Sequence, residues 1–124
     1  MIAVDTSAIV AILLRETDAA AMAQAIEASS AVCMSAGSLI ELHRVAKGKK
    51  GRPGRAQLDA ILREAGLEII TVTPKQAEIA IEATWKFPIL NYGDVFAYAL
   101  AKERGIPLLF KSDDFSQTDI KAAF

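Results

Sequence analysis

Acidic residues stand at positions of this sequence where an α/β enzyme would place its catalytic groups. Asp5 ends the first apolar stretch of the chain, Asp94 opens an apolar helix, and Asp113 follows the last apolar stretch. Glu41 lies inside the apolar run Leu39-Ile40-Glu41-Leu42, where an ordinary surface acid would be out of place. Ligand sites of open parallel sheets form outside the carboxyl ends of the strands. These four carboxylates are therefore predicted to converge at one edge of a sheet.

A convergence of carboxylates has a chemical consequence. Two carboxylates ~4 Å apart repel each other by about 4 kcal/mol at an effective dielectric constant of about 20, so such a cluster needs protons or a cation. Oxygen ligands without histidine or cysteine favour Mg²⁺, for which Mn²⁺ can substitute, over zinc. Magnesium held by a few carboxylates is typical of phosphate chemistry.

Each acid also has a simpler interpretation. Asp5 would cap the helix that follows it, and Asp94 would complement the dipole of its helix. Glu41 would point outward between buried neighbours, while Asp113 and Asp114 would be turn residues. The catalytic interpretation depends on all of them meeting in one place.

The composition excludes several other chemistries. The sequence contains one histidine, His43, and one cysteine, Cys33, which excludes a metal-free ribonuclease with paired histidines, a zinc site and an internal disulfide. It has neither the glycine-rich phosphate loop of NTPases nor the Gly-x-Ser-x-Gly elbow of hydrolases. Cys33 lies in an apolar run and is predicted to be a small buried hydrophobic residue.

Positive charge is concentrated in one segment, although the net charge is only −1. Residues 44–55 contain no acid and include Gly48 to Gly54, a predicted flexible loop. The basic residues of this segment are Arg44, Lys47, Lys49, Lys50, Arg52 and Arg55. Such a concentration suits a basic contact surface, and the alternative is a solvated loop that keeps the protein soluble.

The elements that must position these residues alternate between strand and helix. Strands are predicted at residues 2–5, 31–34, 68–72 and 108–110, followed by a turn at 111–115. Helices are predicted at about 8–14 with Thr6 or Ser7 as cap, at 19–28, from Ser35 or Ser38 to 47, at 55–65 and at 75–84. The last helix is predicted to open at Asn91 to Asp94 and to run to about Arg104. In a chain of 124 residues this predicts a single α/β domain with a central, mainly parallel sheet flanked by helices.

Four stretches in order resemble PIN domains: residues 1–8, 38–42, 90–101 and 107–120. The last is similar to the carboxyl-terminal signature of VapC toxins of VapBC toxin–antitoxin systems. The resemblance implies a parallel sheet with helices on both faces and a Mg²⁺-dependent endoribonuclease. It also implies a homodimer neutralised by a cognate VapB antitoxin.

The resemblance also assigns roles to individual residues. Asp5 and Asp94 would be the metal ligands, helped by Glu41, with Asp113 as the fourth acid or Asp114 in its place. The remaining residues would hydrogen-bond the ligands or the substrate phosphate, and they are Thr6, Ser7, Ser112 and Asp114.

The expected reaction is hydrolysis of an RNA phosphodiester bond by an activated water, leaving 5′-phosphate and 3′-hydroxyl ends. The basic residues of segment 44–55 are predicted to contact RNA phosphates. A structured RNA with an exposed single-stranded loop is the expected substrate class. The alternatives are a catalytically silent RNA- or protein-binding module of the same fold and a Mg²⁺-dependent phosphatase. No apolar run approaches the ~20 residues of a membrane span, and the amino terminus lacks the basic start of a signal peptide. The expected location is therefore the cytoplasm.

Overall fold

The strands form one four-stranded sheet in which every neighbouring pair is parallel. The computed structural model describes residues 1–49, 54–111 and 113–123. Its strands are β1 (Ile2–Val4), β2 (Val32–Ser35), β3 (Glu68–Ile70) and β4 (Leu108–Leu109), in the order β3-β2-β1-β4. The predicted α/β fold with a parallel sheet is confirmed.

Helices connect the strands and cover both faces of the sheet. They are α1 (Thr6–Leu13), α2 (Ala19–Ala28), α3 (Ala36–Gly48), α4 (Arg55–Ala65), α5 (Pro74–Lys86) and α6 (Asp94–Arg104). Gly66 and Gly105 end α4 and α6 with φ of 66° and 62°, the left-handed conformation that glycine adopts without strain. After β4 the chain forms a 3₁₀ helix, Asp113–Gln117, where the sequence predicted a turn.

Alternate residues of β1, β2 and β4 enter two separate apolar cores. Ile2 and Val4 pack against α1 to α4, whereas Ala3 and Cys33 pack against α5 and α6 on the other face. Side chains alternate between faces along a strand, so a strand covered on both sides must be apolar throughout. Cys33 is fully buried, as predicted.

The start of α1 differs from the prediction. Its N-cap is Asp5, whose side chain accepts a hydrogen bond from the backbone N–H of Ser7 at 3.0 Å. The prediction of Thr6 or Ser7 as cap was wrong because β1 already ends at Val4, which leaves Asp5 as the first residue outside the strand. The simpler interpretation of Asp5 as a helix cap is thus confirmed, and capping leaves one of its two carboxylate oxygens for other contacts.

The strand order contains a topological switch. The chain runs from β1 to β2 to β3 in one direction and then places β4 on the other side of β1. Open α/β sheets bind ligands at the carboxyl ends of the strands that flank such a point. Asp5 follows β1, and Asp113 and Asp114 follow β4, so the acids after both of these strands lie beside the switch.

Within the described residues, no helix is long and apolar enough to cross a membrane.

Candidate active site

Asp5 is the most buried acid of the site, with 3% of its surface exposed. Its Oδ2 accepts hydrogen bonds from the N–H and the hydroxyl of Ser7, at 3.0 and 2.7 Å. Its Oδ1 is buried and has no hydrogen-bond partner among the described residues. Burial raises the pKa of Asp5 to about 6; the bonds from Ser7 oppose this rise and the charge of Glu41 adds to it.

Hydrogen bonds from neighbouring elements hold the residues after Asp5. The hydroxyl of Ser7 also accepts a hydrogen bond from the backbone N–H of Lys111 at 3.0 Å, which links α1 to the chain after β4. The hydroxyl of Thr6 donates to the carbonyl of Ser38 at 3.0 Å and so links α1 to α3. Ser7 therefore touches the carboxylate of Asp5 directly, whereas the side chain of Thr6 fixes the helix that carries Glu41.

Asp94 is held by a reciprocal pair of bonds with Asn91. The N–H of Asn91 donates to Asp94 Oδ2 at 3.0 Å, and the N–H of Asp94 donates to Asn91 Oδ1 at 2.9 Å. This is the geometry of a capping box. Asp94 is 6% exposed, and burial raises its pKa to about 7, with further increases from the charges of Asp5 and Asp114. Asp5 and Asp94 are therefore electrostatic neighbours although they lie 89 positions apart in the sequence.

Glu41 reaches the site from α3. Its carboxyl group lies where a Cβ atom on Gly93 would be, so it packs directly against the backbone just before α6. Its charge raises the pKa of Asp5. The acid inside the apolar stretch of α3 therefore points toward the other acids and is not simply turned to solvent.

The two adjacent acids after β4 lie in different surroundings. Asp113 is exposed at the first position of the 3₁₀ helix, and Asp114 is partly buried. Asp114 shares a side-chain hydrogen bond with Asp94 and raises its pKa. Phe115 is fully buried and contacts Phe110, with ring centroids 5.1 Å apart, which anchors the 3₁₀ helix beside the site. Ser112, another predicted site residue, lies outside the described residues.

The acids meet as neighbouring pairs: Asp5 with Glu41, Asp5 with Asp94, and Asp94 with Asp114. In the part of the chain that the structure describes, no three histidine, cysteine or acidic side chains are grouped closely enough to hold one metal ion together. The chemistry of the set nevertheless fits a hard divalent cation. Every donor is a carboxylate oxygen, and Asp5 Oδ1 is a buried acceptor that finds no partner in the described part of the chain.

Comparison with known proteins identifies the family. The sequence matches the PIN domain family over residues 2–121. It is 42% identical to ribonuclease VapC30 of Mycobacterium tuberculosis over 123 residues, which cover 94% of each chain. The chain belongs to the VapC family of PIN-domain proteins.

Other VapC proteins show the same relationship. Ribonuclease VapC of Mycolicibacterium smegmatis is 40% identical over 96% of this chain and 97% of its own. The crystal structure of Mycobacterium tuberculosis VapC20, described as a toxin that cleaves the sarcin-ricin loop, has a TM-score of 0.76 at 20% identity and covers 97% of this chain and 96% of that one. VapBC2 of Rickettsia felis, bound to a DNA fragment from its promoter, has a TM-score of 0.72 at 23% identity and covers 98% of this chain and 96% of that one. These two structures share the fold of this chain.

The basic segment of this VapC protein is only partly at the site. Arg44 is exposed and lines a pocket beside Glu41. Arg55 forms a salt bridge with Asp59 one turn further along α4, with 3.6 Å between Arg55 Nε and Asp59 Oδ2. Lys47 and Lys49 are exposed at the end of α3, and Lys50 and Arg52 lie outside the described residues. Among the described cations of the segment, the structure thus places Arg44 next to an acid of the site.

Two pockets flank the sheet at different edges. The larger, about 560 Å³, lies among α1, α2 and α4 and includes Ala31, Val32 and Gly66, near the amino-terminal ends of β2 and β3. The smaller, about 250 Å³, includes Glu41 and Gly93. The candidate active site is the edge with the smaller pocket, because Glu41 lines that pocket and the charge of Glu41 acts on Asp5, whose pKa is raised.

Two residues that hold the acids were not among the predicted site residues. Asn91 carries a local signal, since Asn91 and Asp94 have the spacing of a capping box. Gly93 carries none, because its role is to leave room for Glu41 from a different helix.

Proposed function

We propose that this VapC-family chain is a divalent-cation-dependent endoribonuclease, the toxin of a type II toxin–antitoxin pair. The observation that carries the proposal is the pair of buried, neighbouring carboxylates of Asp5 and Asp94 beside the topological switch. Two such carboxylates ionise together only where a cation offsets their repulsion. The ribonuclease names of relatives at 40–42% identity support RNA as the substrate.

Mg²⁺, or Mn²⁺ in its place, would be held by Asp5 and Asp94 with help from Glu41. We assign the fourth acid to Asp114, because it hydrogen-bonds Asp94 whereas Asp113 is exposed. When bound there, the cation would polarise the scissile phosphate and lower the pKa of a water molecule.

The chain's own contribution is to orient oxygen atoms before the cation and the RNA arrive. Ser7 holds Oδ2 of Asp5, so Oδ1 is left for the cation. The backbone of Asn91 holds Oδ2 of Asp94 in the same way. In the proposed reaction water attacks phosphorus, the bond from phosphorus to the ribose 3′-oxygen breaks and that oxygen takes up a proton, so the products carry 5′-phosphate and 3′-hydroxyl ends.

Its proposed partners are a VapB-type antitoxin and a second copy of the chain. The likeness in fold to the VapBC2 complex of Rickettsia felis supports the antitoxin. Apolar side chains on the outer side of α5 support self-association: Ile81 and Trp85, one turn apart, are 58% and 85% exposed.

The test compares the wild-type protein with the variants Asp5→Asn and Asp94→Asn on a structured RNA in Mg²⁺ and in EDTA. We expect both variants to lose more than ~99% of the cleavage rate, while Glu82→Gln, at an exposed acid of α5, keeps it. Mg²⁺-dependent cleavage by both variants would contradict the proposal. RNA binding by the wild type without cleavage, indifferent to EDTA, would instead identify a silent binding module.

The fourth acid is tested by a matched pair of variants. Asp114→Asn is expected to lower the cleavage rate at least tenfold more than Asp113→Asn does. Equal rates in the two variants, or a larger loss in Asp113→Asn, would return the assignment to Asp113.

A further inference from the structure

A pocket of about 250 Å³ continues the acid site between α3 and the turn before α6. Glu41 forms part of its wall and also interacts with Asp5. A polynucleotide that places a phosphate over the carboxylates would therefore put an adjoining nucleotide at the pocket. Pockets for whole drug-sized ligands measure about 300–1,000 Å³, so this one suits a single group of a longer ligand.

The pocket presents an aromatic ring to solvent. Tyr92 is 82% exposed, although it lies in the turn that leads directly to Asp94. Its ring packs edge-to-face on Phe96 with centroids 5.2 Å apart. The Phe96 ring in turn occupies the space that a Cβ on Gly37 would fill, so it is fixed against α3. Tyr92 is thus supported from one side and leaves a ring face available for stacking.

The remaining wall combines an apolar and a cationic side chain. Ile40, 64% exposed, and Arg44 lie one turn apart on α3, and both line the pocket. Unpaired RNA bases are recognised by stacking on aromatic rings and on guanidinium planes, and arginine also contacts phosphates. A nucleotide matches this pocket more closely than an apolar peptide side chain does. The pocket combines an aromatic face, an apolar wall and one arginine beside a carboxylate site, and a peptide side chain would not need the arginine.

We infer that this pocket receives the nucleobase of a nucleotide next to the scissile phosphate, with the base stacked on Tyr92 and Arg44 at its edge. This inference rests on the proposed endoribonuclease function. It makes Tyr92 a residue that determines base preference at the cleavage site, and the substrate it selects is an RNA whose bases are unpaired at the cut.

The first experiment measures binding with Ca²⁺ in place of Mg²⁺. The two ligands are a fluorescein-labelled RNA of eight mixed nucleotides and the same chain without bases. We expect wild type to bind the intact RNA about tenfold or more tightly than the abasic chain, since one stacked base is worth about 5- to 150-fold in affinity. Tyr92→Ala should lose most of this difference, and Tyr92→Phe should keep it.

A control is Val72→Ala, which shortens an exposed apolar side chain that does not line the pocket. It should bind both RNAs as the wild type does. Arg44→Gln should weaken both RNAs and reduce the slope of log affinity against log salt by about one.

The second experiment reads base preference from cleavage of a randomised single-stranded RNA pool. Wild type should show a preference at one position beside the cut, and Tyr92→Ala should flatten it. The inference would be wrong if the Tyr92→Ala variant still bound intact RNA more tightly than abasic RNA and kept the base preference of the wild type. The proposed nuclease function would then still stand. If the wild type bound intact RNA more tightly than abasic RNA but cleaved no RNA, base binding at the pocket would be supported and the nuclease function would be refuted. If Tyr92→Ala weakens only the binding of a VapB-type antitoxin, the pocket belongs to a protein partner and the inference is wrong.

Discussion

The carboxylate of Glu41 lies against the backbone of Gly93, in space that a Cβ atom would fill. Gly93 has ordinary helical angles, φ −69° and ψ −38°, so its backbone conformation does not require glycine. The close approach of Glu41 therefore explains this glycine. It fixes where α3 meets the start of α6, and with it the distance between Glu41 and the other acids.

Gly93→Ala is expected to displace Glu41 and to lower the cleavage rate about tenfold or more, because displacements of ~1 Å at a catalytic group are costly. The fold should survive, since the backbone angles suit alanine. Rates at increasing Mg²⁺ concentration and thermal melting check both points. The control is Gly48→Ala, where an added Cβ would meet no atom of the described residues within 4 Å. Wild-type kinetics in Gly93→Ala would show that the position of Glu41 does not matter.

Ser7→Ala removes the hydroxyl that donates to Asp5 and accepts from the backbone of Lys111. The hydrogen bond from the Ser7 hydroxyl lowers the pKa of Asp5, so its loss should raise this pKa further. The rising limb of the pH–rate profile should then shift to higher pH. The free energy of unfolding should fall by about 1 kcal/mol. Ser7→Thr keeps a hydroxyl and should restore the profile. An unshifted profile in Ser7→Ala would mean that Ser7 does not position Asp5.

The pH dependence of stability follows from the raised pKa values of Asp5 and Asp94. Between about pH 4 and 7 the folded state holds protons on these carboxyls that the unfolded state has released. These protons stabilise the folded, metal-free protein, and their contribution is complete below about pH 4. It is lost as the pH rises through the raised pKa values of about 6 and 7, and stability no longer changes on their account at higher pH.

Urea unfolding in EDTA at pH 5 and pH 7.5 measures this contribution. Asp94→Asn should raise the free energy of unfolding at pH 7.5 by about 1–2 kcal/mol and have a smaller effect at pH 5. Mg²⁺ should stabilise the wild type more at pH 7.5 than at pH 5, because protons compete for the same oxygens. If Asp94→Asn were no more stable than the wild type at pH 7.5, the raised pKa of Asp94 would be contradicted.

Asn91→Ala removes the side-chain oxygen that caps the N–H of Asp94. The loss of a helix cap costs about 1 kcal/mol of unfolding free energy. Cleavage should also slow, because the turn that holds Asp94 loosens. Asn91→Ser retains a capping oxygen and should recover most of the stability. Identical melting temperatures for the alanine variant and the wild type would show that the pair with Asp94 contributes nothing.

The choice between Asp113 and Asp114 shows where local sequence stops being informative. Both follow the last strand, and the spacing does not distinguish them. In a 3₁₀ helix, consecutive side chains point about 120° apart, so one of two adjacent acids turns toward the site. Burial of Phe115 sets that rotation, and it depends on an apolar core built from distant parts of the chain.

The amino-acid sequence alone determined the alternation of apolar strands and helices, the parallel sheet, and a set of acids without histidine or cysteine partners. These properties follow from local periodicity and composition. The tertiary structure alone decided the order β3-β2-β1-β4, which sets Asp5 beside the end of β4, and the contact of Glu41 with Gly93. Strand pairing and helix packing join segments that are remote along the chain, and no local pattern specifies which of them become neighbours.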